Sequence, residues 1–201
     1  MQITQGEINP ATRNEAALRF LLTRRSRPAK TLGLPVPDRA GLEEILTAAA
    51  RSPDHGKLEP WRFIVLARPA LERLAGAAEG RARAEGLPED LVTKAASQFA
   101  GSQCCIAIIG CPRESDKVPA REQLLSAGAV CLAALNGALA AGWGANWLTG
   151  WAAENPGFGA AELGLAPGEW VAGFLHLGTE TAPPPERPRP DISTLTTWVE
   201  A

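Results

Sequence analysis

Neither sign of charge dominates this sequence: 20 Lys and Arg stand against 22 Asp and Glu, for a net charge of -2 over 201 residues. A nucleic-acid binder gathers basic side chains on one face, because phosphate contacts carry its affinity. Here the basic residues are scattered, apart from Arg24-Arg25 with Arg27 and Arg187 with Arg189, so nucleic acid is not an expected partner. Long hydrophobic runs are missing too. No stretch holds about 18 uninterrupted apolar residues, so no membrane-spanning helix is expected. The opening residues, MQITQGEINPATRNEA, lack an apolar central region and do not read as a secretory signal. A cytoplasmic protein is the expectation. Cysteine is sparse, and Cys104, Cys105, Cys111 and Cys131 form no C-x-x-C pair with partners, so no zinc site is expected. Three of them lie in or beside the run CCIAIIGC and the fourth in an alanine-rich segment, where they read as small buried hydrophobes.

Several motifs are absent as well. No G-x-G-x-x-G follows a first strand and there is no G-x-x-x-x-G-K-[ST], which excludes the usual dinucleotide and P-loop sites. There is no G-x-S-x-G, no convincing Ser-His-Asp spacing and no internal repeat. Only two histidines occur; His176, inside VAGFLHLG, reads as a satisfied strand residue rather than a catalytic acid.

What is present is a 45% apolar chain, enough for one domain with a sizeable core. Residues 1–13 read as a loose leader and 14–201 as the domain. Asn14 is placed to cap a first helix carrying Ala17, Leu18, Leu21 and Leu22 at helical spacing. After a proline-bearing link, Asp38 caps a second, with Leu42, Ile45, Leu46 and Ala49 as its inner stripe. Pro53 bounds that helix, since proline disfavours helical geometry in the residue before it. WRFIVLA reads as a strand, Pro69 and Pro88 open helices, and CCIAIIG reads as a central strand buried on both faces. A helix over 121–141 is apolar nearly all round, so the sheet, alone or together with a second subunit, must cover it. ANWLTG and VAGFLHLG supply two more strands around a helical segment near 159–163, and the proline-rich tail ends in a short element at Trp198. Without strict strand–helix alternation, this order predicts an α+β fold with one central sheet.

Three constellations could carry chemistry. Arg24-Arg25-Ser26, at the end of the first helix, groups two planar donor forks and a hydroxyl as a phosphate clamp would; cations at a helix C-terminus that only complement the dipole are an equal alternative. The stretch from Arg51 through His55 and Lys57 to Trp61 is a donor-rich loop held between rigid elements, although its composition alone slightly favours a polar connection that caps a helix. Gly142-Trp143-Gly144 through Trp147-Leu148-Thr149-Gly150-Trp151 would suit a flat aromatic ligand, or would be ordinary core tryptophan.

Taken in order and at this spacing, RRSRPAK, ARSPDHGKLEPWRFIVL, KVPAREQLLSAGAVCLAALNGALAAGWGANWLTG and VAGFLHLGT followed by ERPRPD resemble the nitroreductase family, especially its small single-domain members. The resemblance runs from about Glu15 to Trp198. It implies a nitroreductase-like α+β fold, a central mixed, mostly antiparallel sheet flanked by helices, in a homodimer with FMN at the subunit interface. Carried over by position, Arg24, Arg25 and Ser26 would hold the FMN phosphate and ribityl chain, with Arg189 as a second phosphate cation. Arg51 and His55 would belong to the flavin site across the interface, Trp147, Leu148 and Thr149 would line the other side of the flavin, and residues 137–142 would border the nicotinamide route.

The resemblance also implies the chemistry: hydride from NAD(P)H to flavin N5, then to a nitroaromatic, quinone or related acceptor in ping-pong order, with no catalytic side chain and no metal. Departures matter. Many members carry Ser-x-x-Asn-x-Gln-Pro-Trp where this chain has Asp54 to Trp61, so Lys57 and Glu59 replace two amides. Lys57 would set a cation near the electron-rich edge of the ring and favour its reduced, anionic form. A flavin-dependent oxidase or dehydrogenase of a dedicated metabolite, and a flavin-binding regulator without turnover, remain as alternatives.

Overall fold

The computed structural model describes residue 8 and residues 10–200; the rest of the expected leader, residues 1–7 and 9, lies outside the described residues. Helix α1 (Glu15–Thr23) starts where the Asn14 side chain accepts the Ala17 amide at 3.0 Å. A 3-10 turn (Ala29–Thr31) and a two-residue strand β1 (Leu32–Gly33) occupy the stretch read as a link. Helix α2 (Arg39–Ala49) is capped by Asp38, which accepts the Gly41 amide at 2.8 Å. A 3-10 turn (His55–Lys57) precedes strand β2 (Trp61–Ala67). Helices α3 (Arg68–Ala84) and α4 (Glu89–Ala100) lead to strand β3 (Cys104–Gly110), and helix α5 (Ala120–Ala140) to strand β4 (Gly144–Leu148). Short helices α6 (Trp151–Glu154) and α7 (Pro156–Leu163), strand β5 (Trp170–Glu180) and a last turn α8 (Ile192–Leu195) complete the chain.

The sheet runs β1-β5-β3-β2, with β4 also paired to β5. Every described pairing is antiparallel, so the mixed sheet of the expectation is antiparallel throughout these residues. β3 is buried at all seven positions because helices cover both faces. Cys105, Ala107 and Ile109 face α3, α4 and α7, where Phe99 stands edge-on to Phe174 at 5.2 Å. Cys104, Ile106 and Ile108 face α2 and α5. The β3–β5 register shifts between Ile108 and Ile109, which pair with Gly173 and Val171 and leave Ala172 as the extra residue of the bulge.

The four cysteines are free and buried, and burial pushes the Cys104 and Cys111 thiols to about 11 and Cys131 to about 12, which removes thiolate chemistry at neutral pH. His176 is buried with Nδ1 2.8 Å from the Ser102 hydroxyl, and burial lowers it to about 4, so it is neutral. Its Nε2 has no partner among the described residues, so there the expected strand histidine is satisfied on one side only.

Glu169 ties the start of β5 to β2 across β3. Arg62 donates to it twice, at 2.9 and 2.7 Å, and the Ala166 amide and Cys111 thiol donate at 2.9 and 3.1 Å. The Arg62 hydrogen bonds hold its carboxyl at about 2, below the ordinary 4.5. A folded value below the unfolded one stabilises fully above pH 4.5 and is lost as pH falls toward 2. Glu169→Gln is therefore expected to cost roughly 1–3 kcal/mol at neutral pH, read as the urea midpoint. The two proteins should converge at the acid end of that window. A constant gap would show that charge has no part in the effect.

Helix α5 is long and apolar enough to cross a membrane by length and composition, which qualifies the expectation drawn from uninterrupted runs. In the fold it lies along the sheet and α2, burying residues such as Val130, Cys131 and Leu135.

Candidate functional site

Two ends of α5 carry polar side chains of very different character. At its C-terminal end, Gly142 takes a φ of 86° that a side chain would resist, and the chain turns back into β4. The turn meets the end of α1 around a cavity of about 310 Å³, lined by Arg24, Arg25, Arg27, Leu139, Trp143 and Glu180, among others. Arg24 is the C-cap of α1 and donates to the Ser26 hydroxyl at 3.0 Å; Arg25 donates to the Ser26 carbonyl at 3.3 Å. Arg27 donates to Glu180 at 2.7 Å. Burial, then the charges of Arg189, Arg25 and Arg27, lower the proton affinity of Arg24. Arg189, paired with Glu186 at 2.7 Å, thus belongs to the same cluster.

The Nε atoms of Arg24 and Arg25 are buried and have no hydrogen-bond partner among the described residues. Buried donors without acceptors are costly. Four arginines (Arg24, Arg25, Arg27 and Arg189) against two carboxylates (Glu180 and Glu186) leave a surplus of two positive charges. Unpaired donors and uncompensated positive charge in one cavity fit a phosphate monoester dianion, the group that arginine forks recognise.

At the N-terminal end of α5 lies the 51–60 loop. The Ser126 hydroxyl donates to the Pro53 carbonyl at 2.8 Å and receives the Trp61 indole N–H at 3.2 Å, fixing the loop against α5 and β2. His55 Nδ1 is 2.7 Å from the Glu122 carboxylate. Gly56, Lys57 and Glu59 all have positive φ, 74°, 55° and 49°, and for the two non-glycine residues this costs about 1 kcal/mol each. Arg51 is exposed just beyond α2. Beside the loop is an apolar cleft of about 330 Å³, lined by Pro60, Pro112, Leu124 and Trp170 among others.

Strand β4 carries the third predicted group and divides it. Trp147 packs in the layer facing α5, with its indole donating to the Ala172 carbonyl at 3.2 Å and lying where a side chain at Gly173 would stand, 2.0 Å from Nε1. Alternation along the strand turns Leu148 the other way. Thr149 offers its carbonyl to Gln98 at 2.9 Å. The predicted site residues therefore fall in three places. Arg24, Arg25, Ser26 and Arg189 come together; Arg51, His55 and Lys57 form a second group; Trp147 to Thr149 lie on β4. Glu122 lies 17 residues before Leu139 on α5, so the first two groups are roughly 25 Å apart in one chain.

Sequence reading missed Glu180, Glu122 and Ser126, whose partners lie far along the chain; nothing in the local pattern marks them. Asp54, two residues before a glycine, carried a usable signal as a turn-forming side chain.

The α+β fold and the arginine cluster beside the glycine turn are matched by comparison: the chain belongs to the nitroreductase family, whose profile matches residues 23–179. It is similar to YdjA of Escherichia coli (strain K12), provisionally named an NAD(P)H nitroreductase, at 35% identity over 163 residues, 81% of this chain and 87% of that protein. A Haemophilus influenzae protein with the same provisional name is 35% identical over 135 residues, 67% of this chain and 72% of its own. Among solved structures, a nitroreductase-like family protein from Bacillus cereus superposes with a TM-score of 0.75 at 22% identity, covering 96% of this chain and all (100%) of that one. A provisionally named nitroreductase from Desulfovibrio desulfuricans, solved in complex with FMN, has a TM-score of 0.71 at 19% identity over 94% of this chain and 100% of its own. These likenesses establish the fold.

Proposed function

We propose that the chain is a cytoplasmic, FMN-dependent oxidoreductase that works as a homodimer, taking hydride from NAD(P)H and delivering it to a nitroaromatic, quinone or related acceptor. The observation that carries this reading is the pair of buried, partnerless Nε donors of Arg24 and Arg25 in a cavity with surplus positive charge. Both the NAD(P)H in the relatives' names and the FMN bound to the D. desulfuricans protein support it.

In this reading Arg24, Arg25 and Ser26 bind the FMN phosphate and the ribityl chain beside it, and Arg189 adds charge from the tail. Arg51, His55 and Lys57 approach the ring from the second subunit, which accounts for the separation of the two groups along α5. Trp147, Leu148 and Thr149 border the ring through the end of β4, with Trp147 acting from within the sheet layer. When bound, FMN supplies the two-electron chemistry, and the protein contributes placement, electrostatics and exclusion of water. No side chain has to act as a nucleophile.

The direct test is an absorbance spectrum of the purified protein, followed by anaerobic addition of NADPH and then NADH. Flavin bands near roughly 450 nm that bleach on addition are the expected result. Bound flavin that neither nucleotide reduces would replace the reductase with an oxidase of a dedicated metabolite or a regulator. A colourless protein that takes up no added FMN would remove the flavin reading altogether.

A further inference from the structure

One carboxylate beside the candidate ring site takes no part in the function as proposed. Asp54 Oδ2 accepts the Glu59 amide at 2.8 Å and Oδ1 the Leu58 amide at 3.2 Å, while its carbonyl faces the Lys57 amide at 3.3 Å. These bonds enclose Gly56, Lys57 and Glu59, with φ of 74°, 55° and 49°. Glycine adopts such angles freely; lysine and glutamate do not, and they persist there only when surrounding contacts impose them. The ends of the loop are fixed independently, by Ser126 on Pro53 and by buried Pro60. What the Asp54 side chain adds is the conformation of the tip.

That tip carries a cation. Among the described residues Lys57 joins no ion pair, although Asp54, Glu59 and Glu122 are all on the loop or the helix beside it. The direction in which a side chain leaves the backbone is set by φ, so releasing Lys57 from the left-handed region would re-aim its ammonium. We infer that Asp54 is a positioning residue: by holding the Leu58 and Glu59 amides it keeps the left-handed turn that aims Lys57, and through Lys57 it favours the reduced, anionic flavin. This rests on the flavin reading above.

The sign of the effect separates positioning from direct electrostatics. Removing a carboxylate near the ring would by itself ease its reduction and raise the midpoint potential. Losing the aim of Lys57 would lower it. The experiment is to equilibrate FMN-loaded wild type, Asp54→Ala, Lys57→Gln and the double variant with a reference dye under reducing conditions. Both single variants are expected to shift the potential downward, with no further downward shift in the double. Asp54→Ala combined with Glu59→Gly should recover part of the shift, because glycine takes positive φ without cost. Should Asp54→Ala fail to fold, Asp54→Asn, which keeps one acceptor oxygen, carries the same expectation with a smaller shift. An unchanged or raised potential in the Asp54 variants overturns the assignment, as does a Lys57→Gln variant with wild-type potential. Wild-type protein that binds no FMN would instead show failure of the flavin reading before any variant is compared.

Discussion

Replacing Arg24 and Arg25 together by alanine is expected to weaken FMN binding by about 10²–10⁴-fold, at roughly 1.5–3 kcal/mol for each hydrogen bond to a charged group. The same variant should be as stable as wild type without flavin, or more stable. The two effects have one origin. The arginines are gathered with Arg27 and Arg189, burial and then the charges of Arg189, Arg25 and Arg27 lower the proton affinity of Arg24, and the Nε donors of Arg24 and Arg25 are buried without acceptors among the described residues. Such a cluster costs stability in the empty protein and repays it when a dianion arrives. If these arginines only complemented the end of α1, their loss would lower stability by a few tenths of a kcal/mol and leave FMN binding intact. Flavin fluorescence titration gives the affinity and a urea titration of flavin-free protein gives the stability. An affinity within a factor of about three of wild type, well under 1 kcal/mol, would end the assignment of this clamp.

How much of this was legible in the sequence depends on how local each feature is. The caps at Asn14 and Asp38, the doubly buried strand Cys104–Gly110 and the long helix at 121–141 follow from short-range patterns, and the structure has them within a residue or two. Arg24, Arg25 and Ser26 were legible as one donor cluster because they are adjacent in the chain. The pairing of His55 with Glu122 spans 67 residues and that of Arg62 with Glu169 spans 107, and no periodicity encodes such partners. Strand β1 is held by only two residue pairs with β5, too few for any pattern to announce it. The left-handed backbone at Lys57 and Glu59 runs against the intrinsic preference of both residues. Propensity alone fails there because the Asp54 side chain, accepting the Leu58 and Glu59 amides, overrides it. The resemblance already set Arg51 and His55 across a subunit interface from the arginine cluster, and the fold sets these two groups at opposite ends of α5.

That separation leads to the second large effect. Helix α1 buries none of its residues, and its Leu21 and Leu22 are 55% and 71% exposed. On α5, Leu125 and Leu132, two turns apart on one face, are 61% and 45% exposed. Gly128 between them has open space where a side chain would be, and Asn136 Oδ1, one turn further, is buried without a partner among the described residues. A second copy laid along this face would cover the leucines and could satisfy Asn136. It would also let the clamp of one protomer meet the 51–57 loop of the other. Leu125→Glu with Leu132→Glu is therefore expected to raise the dimer dissociation constant by at least about 10³-fold, since each change forfeits roughly 1.5–3 kcal/mol of burial and adds a buried charge. Sedimentation should find wild type at twice the 21.2 kDa chain mass and the variant at the chain mass. The variant should also lose FMN although every clamp residue is intact. A wild-type monomer with flavin bound would refute the shared site, and a monomeric variant that retains flavin at full affinity would show that one chain builds the site alone.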